Sequence, residues 1–366
     1  MSAKKKIKRI GVLTGGGDCP GLNAVIRAVT KTAMLEFGWE AVGFHDGYEG
    51  VVDNVATELT MSHVSNILTQ GGTILGTSNV ANPFAHPRKV RGKTIIEDRS
   101  KDAFATLKKH KVDCLVAIGG DGTMAITDQM HRAGFPVVGV PKTIDNDLAG
   151  TDITFGHDTA VQVISDALDR LHTTAQAHHR VMVLEVMGRY AGWLALNGAV
   201  SGGGDIVLIP EIPFTFDKVI KNIHWRRKHG KRFSLIIVAE GAKPLGGQLI
   251  VKRRVEGSPD PIRLGGIGKM VADHIEMETG ISTRYTVLGH IQRGGTPTAM
   301  DRRLATDLGA HAADMIAHGK FGRMAAVHGK RVTDVPLSKV AGKIRKVTLK
   351  HPTVRAARGL GMGFGD

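Results

Sequence analysis

The sequence has little that would tie it to a membrane, a disulfide scaffold or a zinc site. No apolar run approaches the roughly 18 residues needed to span a bilayer, so no membrane partner is expected. Only two cysteines, Cys19 and Cys114, occur in 366 residues. They give no disulfide framework and suit a reducing compartment. Aromatics make up 5% of the chain, with no aromatic-interleaved basic motif or zinc-finger spacing, so no nucleic-acid partner is expected. His178 and His179 lack a companion acid at zinc-site spacing, and Cys19 has no evident base to make it a nucleophile. The opening MSAKKKIKRI lacks the h-region and cleavage site of a signal peptide. A cytoplasmic location is the expectation.

What is present is length, glycine and positive charge. The length suits about two domains, and 47 glycines with 42% hydrophobic residues suit a loop-rich α/β protein. The formal net charge is +15. Its basic residues are spread along the chain, and such a field can steer polyanionic substrates. Short β-branched runs at 7–13, 112–118, 136–140, 181–186, 205–210, 233–239 and 284–289 read as strands. Between several of them lie apolar residues at helical spacing, as with Leu22, Val25, Ile26 and Val29. This alternation predicts βαβ units and a mostly parallel sheet with helices on both faces. Residues 78–92 and 241–266 read as loops, the second as an insertion or flap. The glycine-rich tail from Thr353 reads as poorly ordered unless docked.

Five segments carry chemistry, and they fall where strands of such a sheet end. TGGGDCPGLNAVIR (14–27) resembles half of a phosphate loop: Gly16 and Gly21 have Walker A spacing, but Leu22 and Asn23 replace its Lys-Ser/Thr. It is either a tight turn before a helix or a set of backbone donors for an oxyanion. AIGGDGT (117–123) places Asp121 among glycines, as a turn stabiliser or a partner for Mg²⁺ beside phosphate. In PKTIDND (141–147), Asp145 and Asp147 can face one cavity as base and metal ligand, or serve as turn chemistry. LEVMGRYAGW puts Arg189 at a strand–helix junction, to reach a phosphate or form a surface ion pair. RYTVLGHIQRGG gathers Arg284, His290 and Arg293, and a phosphomonoester pocket needs such convergence.

In this order the five segments resemble the 6-phosphofructokinase family, over residues from about 7 to 305. The resemblance implies an α/β fold of two similar three-layer αβα lobes with mostly parallel sheets and the active site in the cleft between them. It implies one lobe from 1–156 plus about 292–343, and a second from 157–291 plus about 344–366. It implies transfer of the γ-phosphoryl of ATP to the C1 hydroxyl of fructose 6-phosphate, with Mg²⁺. Asp145 then resembles the general base, and Asp121 and Asp147 the acids that hold Mg²⁺. Gly16, Thr143 and Arg189 match positions at the transferring group. Gly16, Tyr48, Gly120, Asp121, Gly122 and Thr123 match the ATP site. Thr143, Asp145, Asp147, Met187, Gly188, Arg189, Glu240, His290 and Arg293 match the sugar-phosphate contacts. Arg180 and Arg284 match arginines that a neighbouring subunit contributes, so a homodimer or homotetramer is implied.

The alternative donor is pyrophosphate. That branch of the family carries Asp at the position of Gly122 and Lys at the position of Lys142. The chain is mixed here, and glycine at 122, which leaves room for a nucleotide, decides for ATP. One departure stands out: Asn79 and Val80 occupy the segment where ATP-using relatives place an arginine. The effector site of the family is also only partly matched, by Arg27 and Lys31 but with His172 in place of an arginine.

Overall fold

The alternation of apolar strand runs with helical periods folds into two sheets, one after the other along the chain. The computed structural model describes residues 7–90, 93–254 and 262–366. The chain begins with β1 (Arg9–Thr14), α1 (Leu22–Leu35), β2 (Glu40–Phe44), α2 (Tyr48–Asp53) and β3 (Ala56–Leu59). A short antiparallel pair, β4 (His86–Val90) and β5 (Lys93–Glu97), precedes α3 (Ser100–Lys109), β6 (Cys114–Gly119), α4 (Asp121–Arg132) and β7 (Val137–Pro141). Helix α5 (His157–His178) then leads to β8 (Val181–Val186), α6 (Trp193–Ser201), β9 (Ile206–Leu208), α7 (Phe216–Lys228) and β10 (Ser234–Ala239). Next come β11 (Val251–Arg254), β12 (Ile262–Leu264), α8 (Ile267–Thr279), β13 (Thr283–Val287) and a 3-10 turn at Gly289–Arg293. Helix α9 (Ala299–Ala317), β14 (Arg323–His328), β15 (Arg331–Pro336) and α10 (Pro352–Gly359) follow.

Seven strands form one sheet in the order β15-β14-β7-β6-β1-β2-β3, parallel from β14 to β2 and antiparallel at each edge. Four strands form a second, wholly parallel sheet in the order β13-β8-β10-β9. Because successive strand residues point to opposite faces, each central strand feeds two cores. In β1, Ile10 and Val12 join one core and Leu13 another; in β6, Val116 and Ile118 alternate with Leu115 and Ala117. In β8, Met182, Leu184 and Val186 reach the same middle core as Ile10, while Val181 and Val183 face a third. Helices α1, α5, α6 and α9 line the middle core; α3 and α4 cover the outer face of the first sheet, α7 and α8 that of the second. The result is two similar αβα lobes joined through one apolar body, as the resemblance implies.

Three expectations change. Residues 78–92 are not all loop, since they include β4. The 241–266 segment contributes β11 and β12, which pair antiparallel, while 255–261 lie outside the described residues. The tail is docked: it forms α10, Phe364 is buried, and the Val207 N–H donates to the Gly363 carbonyl at 2.8 Å. Buried apolar contact, about 1.5–3 kcal/mol for a large side chain, outweighs the freedom its glycines would otherwise have.

Candidate active site

The carboxyl ends of β1, β6 and β7 lie side by side, with Thr14 opposite Ile118 and Gly119 opposite Pro141. In the second sheet Val186 lies opposite Ala239, and Glu185 opposite Val287. Those strand ends carry Met187–Arg189, Glu240 and the Gly289–Arg293 turn. All five sequence motifs therefore emerge from the same ends of their sheets.

The first glycine loop is pinned to its neighbours. The Gly15 N–H donates to the Ile118 carbonyl at 2.9 Å and the Gly16 N–H to the Ser78 carbonyl at 3.0 Å. The Thr77 hydroxyl donates to the Gly16 carbonyl at 2.6 Å, and Gly16 has φ 80°. Two amides of the loop are thus occupied within the fold, as the tight-turn alternative has it for Gly15 and Gly16. The loop offers clearance instead. A side chain at Gly17 would come within 1.9 Å of the Arg293 guanidinium. A cation reaches the loop from 125 residues away in sequence: the Lys142 ammonium donates to the Gly17 carbonyl. Lys142 is only 4% exposed, and burial lowers its pKa. Asn79 is exposed beside this loop and supplies no charge.

The second loop opens α4. Gly120 is the N-cap, its carbonyl accepting from Met124 N–H at 2.9 Å, and Asp121 and Gly122 are exposed. A Cβ on Gly122 would meet nothing within 4 Å, so the space above this turn is open. Thr123 is buried against Gly15 and Gly119. Tyr48 stands behind the loop, 2% exposed. The Thr127 hydroxyl donates to the Thr123 carbonyl at 2.6 Å, so the Tyr48 phenol, 2.8 Å from Thr127 Oγ1, must donate to it. Tyr48 therefore supports α4 from within the core.

The acidic segment after β7 folds on itself through Thr143. Its hydroxyl accepts from the Asp145 N–H at 3.1 Å and donates to Asp147 Oδ1 at 3.3 Å. Asn146 takes a left-handed φ of 52°, and its Oδ1 accepts from the Thr154 N–H at 3.0 Å. His157, at the start of α5, donates through Nδ1 to the Ile144 carbonyl at 2.6 Å and accepts at Nε2 from Asn197 at 2.9 Å. Asp145 Oδ1 is buried and, among the described residues, has no hydrogen-bond partner.

Electrostatics places the remaining groups around that oxygen. Burial pushes the Asp145 carboxyl up, with Glu240 adding and Arg293 and Arg189 opposing. Asp147 is also raised by burial, then by Asp145 and Asp121. Burial raises Glu240 too, against Arg189. Six charged groups, carried at the ends of strands in both sheets, thus influence one another electrostatically. Among the described residues no three His, Cys, Asp or Glu side chains are grouped so as to hold a metal on their own.

The sugar-lobe side is built on backbone geometry. Gly188 has φ 121°, its carbonyl accepts from the Gly241 N–H at 3.1 Å, and a Cβ on Gly241 would lie 2.0 Å from the Arg189 carbonyl. The Met187 N–H donates to Oε1 of buried Gln292 at 3.3 Å, and Gln292 Nε2 donates to the Gly289 carbonyl at 3.0 Å. This amide ties two motifs together; its place inside GHIQRGG was the only available signal. His290 is exposed on the turn. Arg180 and Arg284 lie elsewhere: they sit at the amino ends of β8 and β13, about 20 Å and about 10 Å of strand from the carboxyl ends, and Arg284 pairs with Glu276 at 3.2 Å. The chain does not bring them into its own cleft.

A model described as phosphofructokinase matches residues 9–316. The chain belongs to the phosphofructokinase family. It is 50% identical over 368 residues to the ATP-dependent 6-phosphofructokinase of Chloroflexus aggregans, covering 100% of this chain and 99% of that one. It is also 46% identical over 340 residues to a pyrophosphate–fructose 6-phosphate 1-phosphotransferase of Amycolatopsis methanolica, covering 93% and 96%. The phosphofructokinase structure from Saccharomyces cerevisiae superposes with a TM-score of 0.75 at 31% identity. That match covers 91% of this chain and 45% of the longer yeast chain. Relatives of this chain thus include proteins named for either donor.

Proposed function

We propose that the chain transfers the γ-phosphoryl group of ATP to the C1 hydroxyl of fructose 6-phosphate. The observation that carries this reading is the buried, unpartnered Oδ1 of Asp145, held among cationic Arg189 and Arg293 and the acids Glu240 and Asp121. An acceptor hydroxyl is the partner such an oxygen needs. Asp145 takes the hydroxyl proton as the C1 oxygen bonds to phosphorus; the bond from phosphorus to the bridging oxygen breaks, and its electron pair leaves with ADP. Burial and acidic neighbours make Asp145 a better base than a solvated carboxylate. Lys142 and Arg189 offset charge at the phosphates, and Arg293, Met187, Glu240 and His290 orient the sugar phosphate. Most of the rate then comes from positioning and charge neutralisation.

The donor set fits Mg²⁺. Two hard carboxylates, Asp121 and Asp147, lie near enough for the first to raise the second, and that cation is commonly held by one or two carboxylates plus substrate phosphates. Asp121 and Asp147 would hold it, and when bound it neutralises phosphate charge. Arg180 and Arg284 would serve the cleft of a second copy, which makes self-association part of this reading.

Open space at Gly122 favours a nucleotide donor. Pyrophosphate is the second reading, favoured by Lys142 against the first loop. A coupled assay with fructose 6-phosphate and Mg²⁺, run with ATP and with pyrophosphate, decides between them. Turnover with pyrophosphate alone overturns the donor assignment. Undiminished turnover in Asp145→Asn overturns the base.

A further inference from the structure

We infer that Arg345, which lies beyond the segment matched to the family, positions the acidic loop by clamping Asn146 and Asp147 to the start of α6. The inference rests on the reading of Asp145 as the base. Two contacts of this residue and one of its neighbour fasten it to the loop. Its N–H donates to the Asp147 carbonyl at 2.6 Å, and its Nη2 donates to the Asn146 carbonyl, also at 2.6 Å. Ile344 forms an antiparallel bridge with Leu148. Asn146 takes the left-handed region that asparagine tolerates, and the fastened carbonyl is that of Asn146 itself.

The other side of Arg345 faces the sugar lobe. Its guanidinium lies 4.3 Å from the centre of the Trp193 ring, and the Trp193 indole N–H donates to the Arg345 carbonyl at 2.9 Å. Two residues on, the Val347 N–H donates to Glu211 Oε1 at 2.8 Å, and the same carboxylate accepts from Gly192 N–H at 3.0 Å. Trp193 opens α6 directly after the turn bearing Met187 and Arg189. One arginine therefore joins the turn after β7 to the turn after β8, which belong to different sheets. A planar fork that donates on one edge and stacks on an aromatic face is work lysine cannot reproduce.

Asp145 directly precedes the two clamped residues, whereas the sugar-phosphate contacts Glu240, His290 and Arg293 sit on segments that Arg345 does not touch. Loosening the clamp should therefore lower kcat with little change in KM. Displacements of about 1 Å near reacting groups cost on the order of 100-fold. The test compares Arg345→Ala, Arg345→Lys and, as control, Arg358→Ala. Arg358 stacks on Phe364 and pairs with Asp366 in the same part of the chain, away from the loop. The expected result is a kcat lowered about 10- to 100-fold in Arg345→Ala, less in Arg345→Lys, with both KM values within about threefold. Added guanidinium should restore part of the kcat of Arg345→Ala, and Arg358→Ala should retain wild-type kcat. Should Arg345→Ala fail to fold, Arg345→Lys carries the test. Wild-type kcat in the readable variant, a loss confined to KM, or an equal loss in Arg358→Ala would overturn the inference. If Asp145→Asn is inactive in the same assay, such a result counts against the clamp alone; if Asp145→Asn is active, the base assignment itself has failed.

Discussion

The ammonium of Lys142 rests on the carbonyl of Gly17. A lysine that a Walker loop would carry in its own sequence is absent here, and this one reaches the loop from the turn after β7, two strands away from β1. The expected outcome for Lys142→Met is a loss of phosphoryl transfer of about 100-fold, the scale of removing one preorganised charge from a phosphoryl or oxyanion site. Binding of fructose 6-phosphate, followed by calorimetry, should change little. Equal losses in binding and turnover would argue that the lysine only supports the fold.

Gly122→Asp separates donor choice from stability. The site above Gly122 is open, and an acid in the first turn of α4 suits the helix dipole. The variant should melt within a degree or two of wild type while kcat/KM for ATP drops by roughly tenfold or more through repulsion of its phosphates. A parallel titration with pyrophosphate shows whether that donor is spared.

Gly17→Ala works through Arg293. The new methyl would overlap the guanidinium, which is the movable end of a flexible side chain. Stability should hold while Arg293 swings away, and KM for fructose 6-phosphate should rise about tenfold, near the value of one charge-assisted hydrogen bond. An unchanged KM would mean that Arg293 reaches the substrate from another position.

His157 makes stability depend on acid. Burial depresses its pKa from 6.5 to about 4. Between those values the unfolded chain binds the extra proton, so its contribution is full above pH 6.5 and is lost as the pH falls towards 4. The span corresponds to about 3 kcal/mol. Chemical denaturation at pH 7 and pH 4.5 should show the difference, and His157→Gln should flatten it.

Asp301 holds two helices at once. Its carboxylate accepts from the Gly156 N–H at 2.9 Å, the Thr159 N–H at 2.8 Å and the Thr159 hydroxyl at 2.6 Å, while Thr298 caps α9 and donates to Asp158 at 2.6 Å. Asp301→Ala strands those buried donors and should cost about 3–5 kcal/mol, visible as a lower denaturant midpoint.

The parts of this fold that the sequence made legible are those governed by local rules. Strands β1, β6, β7, β8 and β10 are runs of Val, Ile and Leu buried on both faces, and nothing but a central parallel strand suits them. Strands β2 and β3 carry no such run. Gly43, which looks unsuited to a strand, is there because Leu59 and Leu75 fill its space; that requirement belongs to the tertiary structure. The charged residues of the site could be found because glycines and paired acids are costly to keep in strand-end turns without reason. Gln292, His157 and Arg345 could not, since a buried amide, a neutral imidazole and a stacked guanidinium act through partners far away in sequence. Tyr48 shows the converse: it matches a motif position, yet its hydroxyl is turned inward to Thr127.

The order of strands has a consequence for how the molecule is made. The first sheet takes its outer strands β14 and β15 from residues 323–336, after the whole second sheet has been inserted, and β9 pairs at Ile206 with Gly363. A ribosome releasing this chain therefore holds an unfinished first lobe, with the free edge of β7 open to unwanted pairing, for as long as it takes to synthesise about 180 further residues. At roughly 5–20 residues per second that is some 10–40 seconds of exposure. Chaperone dependence during translation, rather than low final stability, is where this topology would be vulnerable.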